Sequence, residues 1–408
     1  MGSKFGLLGR RLGHSWSPQI HELLCGYPYG LYEVEPDDLG RFLNETNLAG
    51  MNVTIPYKKD VLPYCVSLSP AARSIGSVNT LVRAEDGSWR GDNTDYDGFL
   101  AMAAACGVDM TGKKALVFGT GGASLAVVAA LRDLGAEPVI RISRTGEDNY
   151  MNLDRHADAK ILVNTTPLGM YPNTGESPVS LGDFPRCEAA LDVVYNPTRT
   201  AFLLDAERRG IPHAGGLTML VAQARRSAEQ FAHCAISDRR VAEIVGIMRR
   251  QMQNIILIGM PGCGKTVVGR ALAARTGRPF LDADAVLVER AGMTIPEIFE
   301  SEGEEGFRRR ETEILADLGK GSGAVIATGG GCVTRPENYP LLHQNGVIVW
   351  IQRDLESLPT AGRPLSQRGS LAEMYEQRRD KYAAFADRTV ESVEVVNDTV
   401  KKIMEVLR

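Results

Sequence analysis

Apolar residues gather in short continuous runs, at 115–118, 139–142, 161–163, 191–194, 255–258, 325–327 and 347–351. These runs do not alternate between apolar and polar. That is the pattern of parallel strands covered on both faces. Helical patterns lie between them, including 125–134 and 267–275. Strand and helix in alternation predict an α/β chain. A last helical pattern, 237–253, has Ser237 as a candidate cap and a basic end at Arg249-Arg250. The next strand starts at once at Asn254, so a domain boundary is expected near residue 252.

A chain of 408 residues exceeds one ordinary core and calls for two or three domains. Net charge is −4, with no basic stripe or tail to suggest nucleic acid. The seven cysteines are scattered and form no zinc-type spacing, so reduced thiols are expected. No 18-residue apolar run and no leader pattern occurs. A cytoplasmic protein with small-molecule partners and no membrane association is the expectation, and a homodimer stays open as its assembly.

The sharpest chemical signal is Gly259-Met260-Pro261-Gly262-Cys263-Gly264-Lys265-Thr266, directly after the run 255–258. Strand, G-x-x-x-x-G-K-T and helix together form a phosphate-binding loop. Gly259, Gly262 and Gly264 let the backbone curl so that successive N–H groups point inward. Lys265 offers a point charge to the outer phosphates, and the Thr266 hydroxyl can ligate Mg²⁺. ATP is the implied nucleotide.

A second nucleotide turn lies earlier. Gly119-Thr120-Gly121-Gly122-Ala123 follows one strand and precedes a helix, which suits a pyrophosphate at a helix N-terminus. The next strand ends in Ser143-Arg144-Thr145 rather than in an acid, and an arginine there can meet a 2′-phosphate. This points to NADP(H). Glu147 and Asp148 close by would weaken that preference.

Ahead of this turn come short loops crowded with hydroxyls and carboxamides, at 15–18, 52–58, 77–80 and 91–95. They suit a small polyhydroxylated acid. With G-T-G-G-A, N-T-T-P-L-G-M (164–170) and G-G-L-T-M-L-V-A-Q-A (215–224), these loops resemble shikimate dehydrogenase in an ordered series. The other matching stretches are G-H-S-W-S-P, N-V-T-I-P-Y-K, S-V-N-T-L and G-D-N-T-D. The resemblance implies a substrate domain over 1–95, to which helices from 215–252 return, and a Rossmann domain over 96–252. It implies that Ser15 and Ser17 hold the substrate carboxylate and that Thr54, Asn79, Tyr195 and Gln223 surround the ring hydroxyls. Lys58 and Asp95 would form the catalytic pair. Hydride delivered to a ketone leaves an alkoxide, which an ammonium stabilises and protonates while a carboxylate orients it. Since a free lysine at about 10.4 holds its proton firmly, Lys58 is read as electrostatic stabiliser first and proton carrier second.

After the phosphate loop, Asp282-Ala283-Asp284 reads as an extended segment whose two acids point to opposite faces, one for magnesium and one for an acceptor hydroxyl. Arg308 and Glu311 share a helix face. Gly329-Gly330-Gly331 marks close backbone approach to a ligand, and Gly362-Arg363-Pro364 reads as a loop over the site. Residues 254–408 resemble shikimate kinase through D-x-D, F-R-x-x-E, G-G-G, R-P-L and a late R-x-x-x-Y. The resemblance implies a P-loop domain over 253–408 with a parallel sheet. Asp284 would meet the acceptor hydroxyl as base, and Asp282 would support Mg²⁺. Arg308 and Arg378 would grip the shikimate carboxylate, Gly330 and Gly331 would pack against the ring, and Arg363 would close on the phosphates. Cys263 and Cys332 are read as packing residues.

Together the resemblances imply a bifunctional enzyme that reduces 3-dehydroshikimate with NADPH and phosphorylates shikimate with ATP. A quinate-preferring dehydrogenase half and a catalytically silent ligand sensor remain the alternatives.

Overall fold

The apolar runs form the expected strands, three of them with unchanged ends and the other four with ends moved by one or two residues. The computed structural model describes residues 4–13, 15–357 and 371–407. Among the described residues three sheets are present. The first contains β1 (Phe5–Gly9), β2 (Tyr29–Glu33), β3 (Gly50–Val53), β4 (Cys65–Leu68), β5 (Thr80–Arg83) and β6 (Trp89–Asp92), in the order β2-β1-β3-β5-β6-β4. It is mixed, because β5 runs antiparallel to β3 and β6. The β5–β6 reversal uses Gly87 at φ 84°, a conformation open to glycine at no steric cost. The polar loops of the sequence sit at the ends of these strands: Thr54 follows β3, Asn79 precedes β5 and Asn93 follows β6.

The second sheet is wholly parallel. Its strands are β7 (Ala115–Phe118), β8 (Val139–Ile142), β9 (Ile161–Asn164), β10 (Ala189–Asp192) and β11 (His213–Gly215), in the order β11-β10-β9-β7-β8. Its strands are apolar throughout because each face has its own core. Ala115, Val117, Ile161 and Val163 pack on one side with Phe99 and Met102. Leu116, Phe118 and Leu162 pack on the other with Phe202 and Leu203. The chain passes from β8 across β7 to β9, so the turn after β7 lies at the topological switch, where open α/β sheets bind ligands.

The third sheet repeats this logic with β12 (Asn254–Ile258), β13 (Phe280–Asp282), β14 (Val325–Ala327), β15 (Gly346–Gln352) and β16 (Arg388–Glu391), ordered β13-β14-β12-β15-β16 and all parallel. Strand β12 is buried along its whole length, and the glycine loop follows it at the switch between β14 and β15.

The chain divides into two compact units that do not follow a single cut in sequence. Unit 1 is Met1–Met170, Glu176–Tyr195 and Phe202–Met248, while unit 2 is Tyr171–Gly175, Asn196–Ala201 and Arg249–Arg408. Within unit 2, the Asn196–Ala201 segment is fastened by backbone and side-chain bonds. Thr198 N–H donates to Asn345 Oδ1 at 2.9 Å and Arg199 N–H to the Gln344 carbonyl at 2.9 Å. The helix Asp238–Met252 begins just after Ser237, whose hydroxyl accepts the Arg240 N–H at 3.3 Å. Among the described residues, no helix is long and apolar enough to cross a membrane.

Candidate active sites

In unit 1, Asp95 is the first residue of the helix Asp95–Cys106, and its side chain meets a lysine from the turns after Thr54. Lys58 Nζ lies 2.5 Å from Asp95 Oδ2, with both side chains mostly shielded from solvent. The other carboxylate oxygen accepts the Asn79 amide at 2.9 Å. Asn79 is itself fixed, since its Oδ1 accepts the Thr94 N–H at 2.7 Å and the Thr80 hydroxyl at 3.0 Å. Behind it, Ser227 of the helix Leu217–Ala232 binds Thr80 Oγ1 at 2.9 Å and accepts the Asn52 amide at 2.7 Å. Gln223 of the same helix accepts the Thr94 hydroxyl at 3.5 Å.

The other predicted residues of this site lie apart in hydrogen bonding. Ser15 and Ser17 bond each other at 3.2 Å at the start of the helix Ser17–Cys25. Thr54 N–H donates to the Leu8 carbonyl at 2.9 Å. Tyr195 is half-buried, and burial pushes its hydroxyl above the ordinary tyrosine value. None of these four bonds Lys58 or Asp95 among the described residues.

The dinucleotide turn adjoins the lysine. A Cβ added to Gly122 would stand 3.4 Å from Lys58 Cδ. Gly119 has φ 112° and its open side faces Thr165 Oγ1, so a side chain there would be both strained and crowded. Gly121 precedes the helix Gly122–Asp133, and Ala123 lies in its first turn, so the free N–H groups of that end fit a pyrophosphate. Ser143 leaves β8 and accepts the Gly146 N–H at 2.6 Å, which holds the following loop in a tight turn. Arg144 and Thr145 are exposed beside it, and no described carboxylate pairs with Arg144. Of the two nearby acids, Asp148 is engaged by His156 at 2.8 Å. The residues present therefore fit a 2′-phosphate.

In unit 2 the phosphate loop, Asp282, Asp284, Arg308, Gly330, Gly331 and Arg378 line one cavity of about 570 Å³. Gly259, Gly262 and Gly264 all have positive φ, at 146°, 87° and 100°. Lys265 Nζ lies inside the curve, donating to the carbonyls of Gly259 at 2.8 Å and Met260 at 3.0 Å. Thr266 Oγ1 donates to Asp282 Oδ2 at 2.8 Å. Two hard oxygens side by side at the loop's mouth fit Mg²⁺, which binds through few protein groups and keeps several waters.

One expectation needs correction. Asp282 and Asp284 do not share an extended segment, on which residues two apart would face the same way. Strand β13 ends at Asp282, and the helix Ala283–Ala291 begins. Asp282 caps that helix, accepting the N–H groups of Asp284 and Ala285 at 3.1 and 3.3 Å. The start of the helix is what parts the two acids. Burial raises Asp284 above the usual carboxylate range, with the Lys265 charge opposing.

The triple glycine is crowded by the protein itself. A Cβ on Gly331 would stand 2.1 Å from the Arg308 guanidinium, and one on Gly330 would stand 2.6 Å from Pro261. Arg308 is buried and donates to Glu311 at 2.7 Å and to Glu304 at 3.4 Å. Arg378 and Tyr382 both donate to the Gly330 carbonyl. Cys263 and Cys332 are fully buried. Arg363 and its loop lie outside the described residues. Arg353, Thr328 and Phe299 line the cavity without having been singled out. Position was the available signal for two of them, because Arg353 and Thr328 follow the C-terminal ends of β15 and β14.

A dinucleotide turn beside a Lys/Asp pair defines an oxidoreductase module, and a phosphate loop facing a buried aspartate and two arginines defines a phosphotransferase. The family model "Shikimate dehydrogenase substrate binding domain" matches residues 7–81, and "Shikimate kinase" matches 261–408. Shikimate dehydrogenase (NADP(+)) of Clostridium beijerinckii is 34% identical over 268 residues, covering 61% of this chain and 99% of that protein. The enzyme of Clostridium perfringens strain SM101 is 37% identical over 246 residues, covering 55% and 90%. Among solved structures, a chorismate mutase/shikimate 5-dehydrogenase fusion protein from Clostridium acetobutylicum is 36% identical with TM-score 0.57, covering 60% of this chain and 96% of that one. Thermus thermophilus shikimate 5-dehydrogenase, solved with NADP(H) and shikimate, is 32% identical with TM-score 0.54, covering 59% and 97%. The chain belongs to the shikimate dehydrogenase family over its N-terminal part and carries a shikimate kinase domain behind it. It is a bifunctional enzyme of the shikimate pathway that uses NADP and ATP with Mg²⁺.

Proposed function

We propose that the N-terminal half reduces 3-dehydroshikimate to shikimate with NADPH and that the C-terminal half phosphorylates the shikimate 3-hydroxyl with ATP. The observation that carries the first step is the Lys58–Asp95–Asn79 chain set against Gly122. NADPH, when bound, supplies the hydride. Lys58 stands where the ketone oxygen gains charge, stabilises it and donates a proton to it, and Asp95 keeps the ammonium aimed. Asn79, held by Thr80 and Thr94, stops the carboxylate from turning away. Ser15 and Ser17 accept the role of carboxylate anchors. Thr54, Tyr195 and Gln223 serve the ring hydroxyls, with Arg144 on the 2′-phosphate.

In the second half, Asp284 takes the proton of the acceptor hydroxyl, and burial strengthens it as a base. Arg308 and Arg378 bind the carboxylate through planar forks. Thr266 and Asp282 hold the magnesium, and Lys265 meets the phosphates. Arg363 would close on them.

Quinate is the second reading for the dehydrogenase half, favoured by likeness to a Corynebacterium glutamicum quinate dehydrogenase solved with NAD, 25% identical with TM-score 0.53. The paired serines at 15 and 17 and the arginine at 144 favour shikimate and NADP. One coupled assay decides. Dehydroshikimate with NADPH and ATP is expected to give shikimate 3-phosphate. A higher turnover on quinate with NAD, or no turnover of either kind, would overturn the proposal.

A further inference from the structure

Unit 2 has a second cavity, larger than the phosphate-loop site. It is a groove of about 930 Å³ at the N-terminal ends of the strands of the third sheet. Ile255 and Val347, near the starts of β12 and β15, lie in its floor, whereas the phosphate loop follows the end of β12. Leu272 and Leu407 extend the apolar lining.

The walls are cationic. Arg199, Arg249, Arg250, Arg275, Arg278 and Arg388 all line the groove, against one carboxylate among the described residues, Asp387. That carboxylate is turned to the Ile348 N–H at 2.8 Å and lies 3.6 Å from His343. Three of the arginines have a structural task. Arg278 donates to the carbonyls of Gln253 and Arg250, Arg388 to that of Val406, and Arg199 to those of His343 and Gly346. The other three, Arg249, Arg250 and Arg275, are exposed and meet no carboxylate among the described residues.

Elsewhere in the same unit the pattern is different. Arg290, Arg308, Arg310 and Arg335 each lie against an acid. A local excess of like charge repels itself and is relieved by an anion. Guanidinium forks match phosphate and carboxylate oxygens, and an apolar floor of this size takes a ring.

We propose that this groove is a binding site for a small amphipathic anion, a phosphate ester carried on an apolar or aromatic ring, separate from both nucleotide sites. Arg249, Arg250 and Arg275 hold the phosphate, and the floor around Ile255 and Val347 holds the ring.

The test uses the full chain with ADP and Mg²⁺ in the phosphate loop and NADP in the dinucleotide turn. The probe is 1-naphthyl phosphate, titrated by calorimetry. One saturable site per chain is expected. Arg250→Ala and Arg275→Ala are each expected to weaken it by about tenfold, the size of one lost charge-assisted contact. Arg275→Lys is expected to recover part of the loss. Among the described residues these side chains pair with no carboxylate, so melting temperature and both activities are expected to stay unchanged. Neutral 1-naphthol and inorganic phosphate are each expected to bind at least about tenfold more weakly than the ester, because each lacks one of the two contacts. The proposal falls if the double variant Arg250→Ala/Arg275→Ala binds within twofold of the parent. It also falls if 1-naphthol or inorganic phosphate binds as tightly as the ester, or if only an acidic peptide or an oligonucleotide binds.

Discussion

Lys58 Nζ lies 2.5 Å from Asp95 Oδ2, a contact between a lysine in a turn and the first residue of a helix 37 positions later. The pair is shielded, and the carboxylate's second oxygen is already taken by Asn79. Lys58 therefore has one firm anchor and can offer its remaining protons to a bound oxygen. Lys58→Ala is expected to cut dehydrogenase turnover by about 10²–10³, the usual loss for one charged transition-state donor, while substrate still binds. Turnover and substrate affinity of the purified variant check this. Turnover within threefold of the parent would remove Lys58 from the reaction.

Arg144 is exposed beyond β8 with no described carboxylate to hold it, while Asp148 nearby is occupied by His156. A phosphate on the adenosine ribose is the contact that would distinguish the two cofactors. Arg144→Ala is expected to weaken NADPH by about tenfold or more and to leave NADH nearly unchanged. Apparent affinities for both cofactors measure it. Equal loss for both would mean that Arg144 does not read the phosphate.

The buried guanidinium of Arg308 rests against Gly331 and has Glu311 as its firm partner. Two different changes should disturb it in the same way. Arg308→Lys removes the planar fork. Gly331→Ala places a carbon 2.1 Å from the guanidinium, so Arg308 must move. Both are expected to raise the kinase KM for shikimate by about tenfold, a lost charge-assisted contact, and to spare that for ATP. Steady-state kinetics with each substrate varied decides, and a selective ATP defect would place Arg308 in the nucleotide site.

Asp284 sets activity against stability. Burial, with some help from Asp282, raises its pKa, and Lys265 opposes. The folded chain thus binds this proton more tightly than the unfolded one. The ionised carboxylate costs stability at neutral pH, and that cost fades as pH falls through the raised value. Asp284→Asn is expected to raise the melting temperature of the kinase unit at pH 7, by about 2–4 °C for each kcal/mol recovered. It is also expected to lower phosphorylation by about 10²–10⁴ if the group is the base. As pH falls through the folded pKa the stability gain is expected to shrink, and below the ordinary aspartate value of about 3.9 it is expected to vanish. A variant less stable than the parent at pH 7 would contradict the burial argument.

Both nucleotide turns were legible because their backbones need glycine at fixed spacing. Gly119, Gly259 and Gly264 sit at φ 112°, 146° and 100°, and few other residues can. The two-faced strands were legible for a similar reason, since a run such as 255–258 has no polar side to turn outward. What stayed hidden depends on distant chain segments meeting. Ser227 reads as an ordinary helix serine, yet it joins Asn52 across 175 positions. Cys25 and Cys234 read as scattered thiols, yet their sulfurs lie 3.8 Å apart. The groove arginines come from four separate stretches, so the basic end at Arg249-Arg250 does not by itself announce the cluster. The Asp282–Asp284 pair was misplaced because a strand ending and a helix beginning within two residues look alike in sequence.

The division of the molecule bears on whether its halves work apart. Cutting after residue 252 looks natural in sequence, yet Asn196–Ala201 belongs in space to unit 2. There, buried Asn345 accepts the Thr198 N–H at 2.9 Å and donates to Asn196 Oδ1 at 3.1 Å, and the Gln344 carbonyl accepts Arg199 N–H and the Thr198 hydroxyl. A fragment of residues 253–408 loses all of these. It also loses the Met252 carbonyl that accepts the Gly323 N–H and the Arg250 carbonyl that accepts Arg278. Each buried polar group left unpaired costs roughly 1–3 kcal/mol unless water replaces the partner. The chemistry is intact in such a fragment, because Lys265, Asp284, Arg308 and Arg378 all lie inside it. The expected outcome is therefore a kinase that is active but less stable, with a urea midpoint below that of the same unit in the full chain. Starting at residue 249 is expected to recover part of the loss, by restoring the Arg250 and Met252 carbonyls. Asn345→Ala in the full chain is expected to lower the midpoint as well. Equal midpoints for 253–408 and the full chain would show that the Asn196–Ala201 segment adds nothing. Loss of kinase turnover in a fragment that remains folded would mean that the active site needs a residue from outside 253–408.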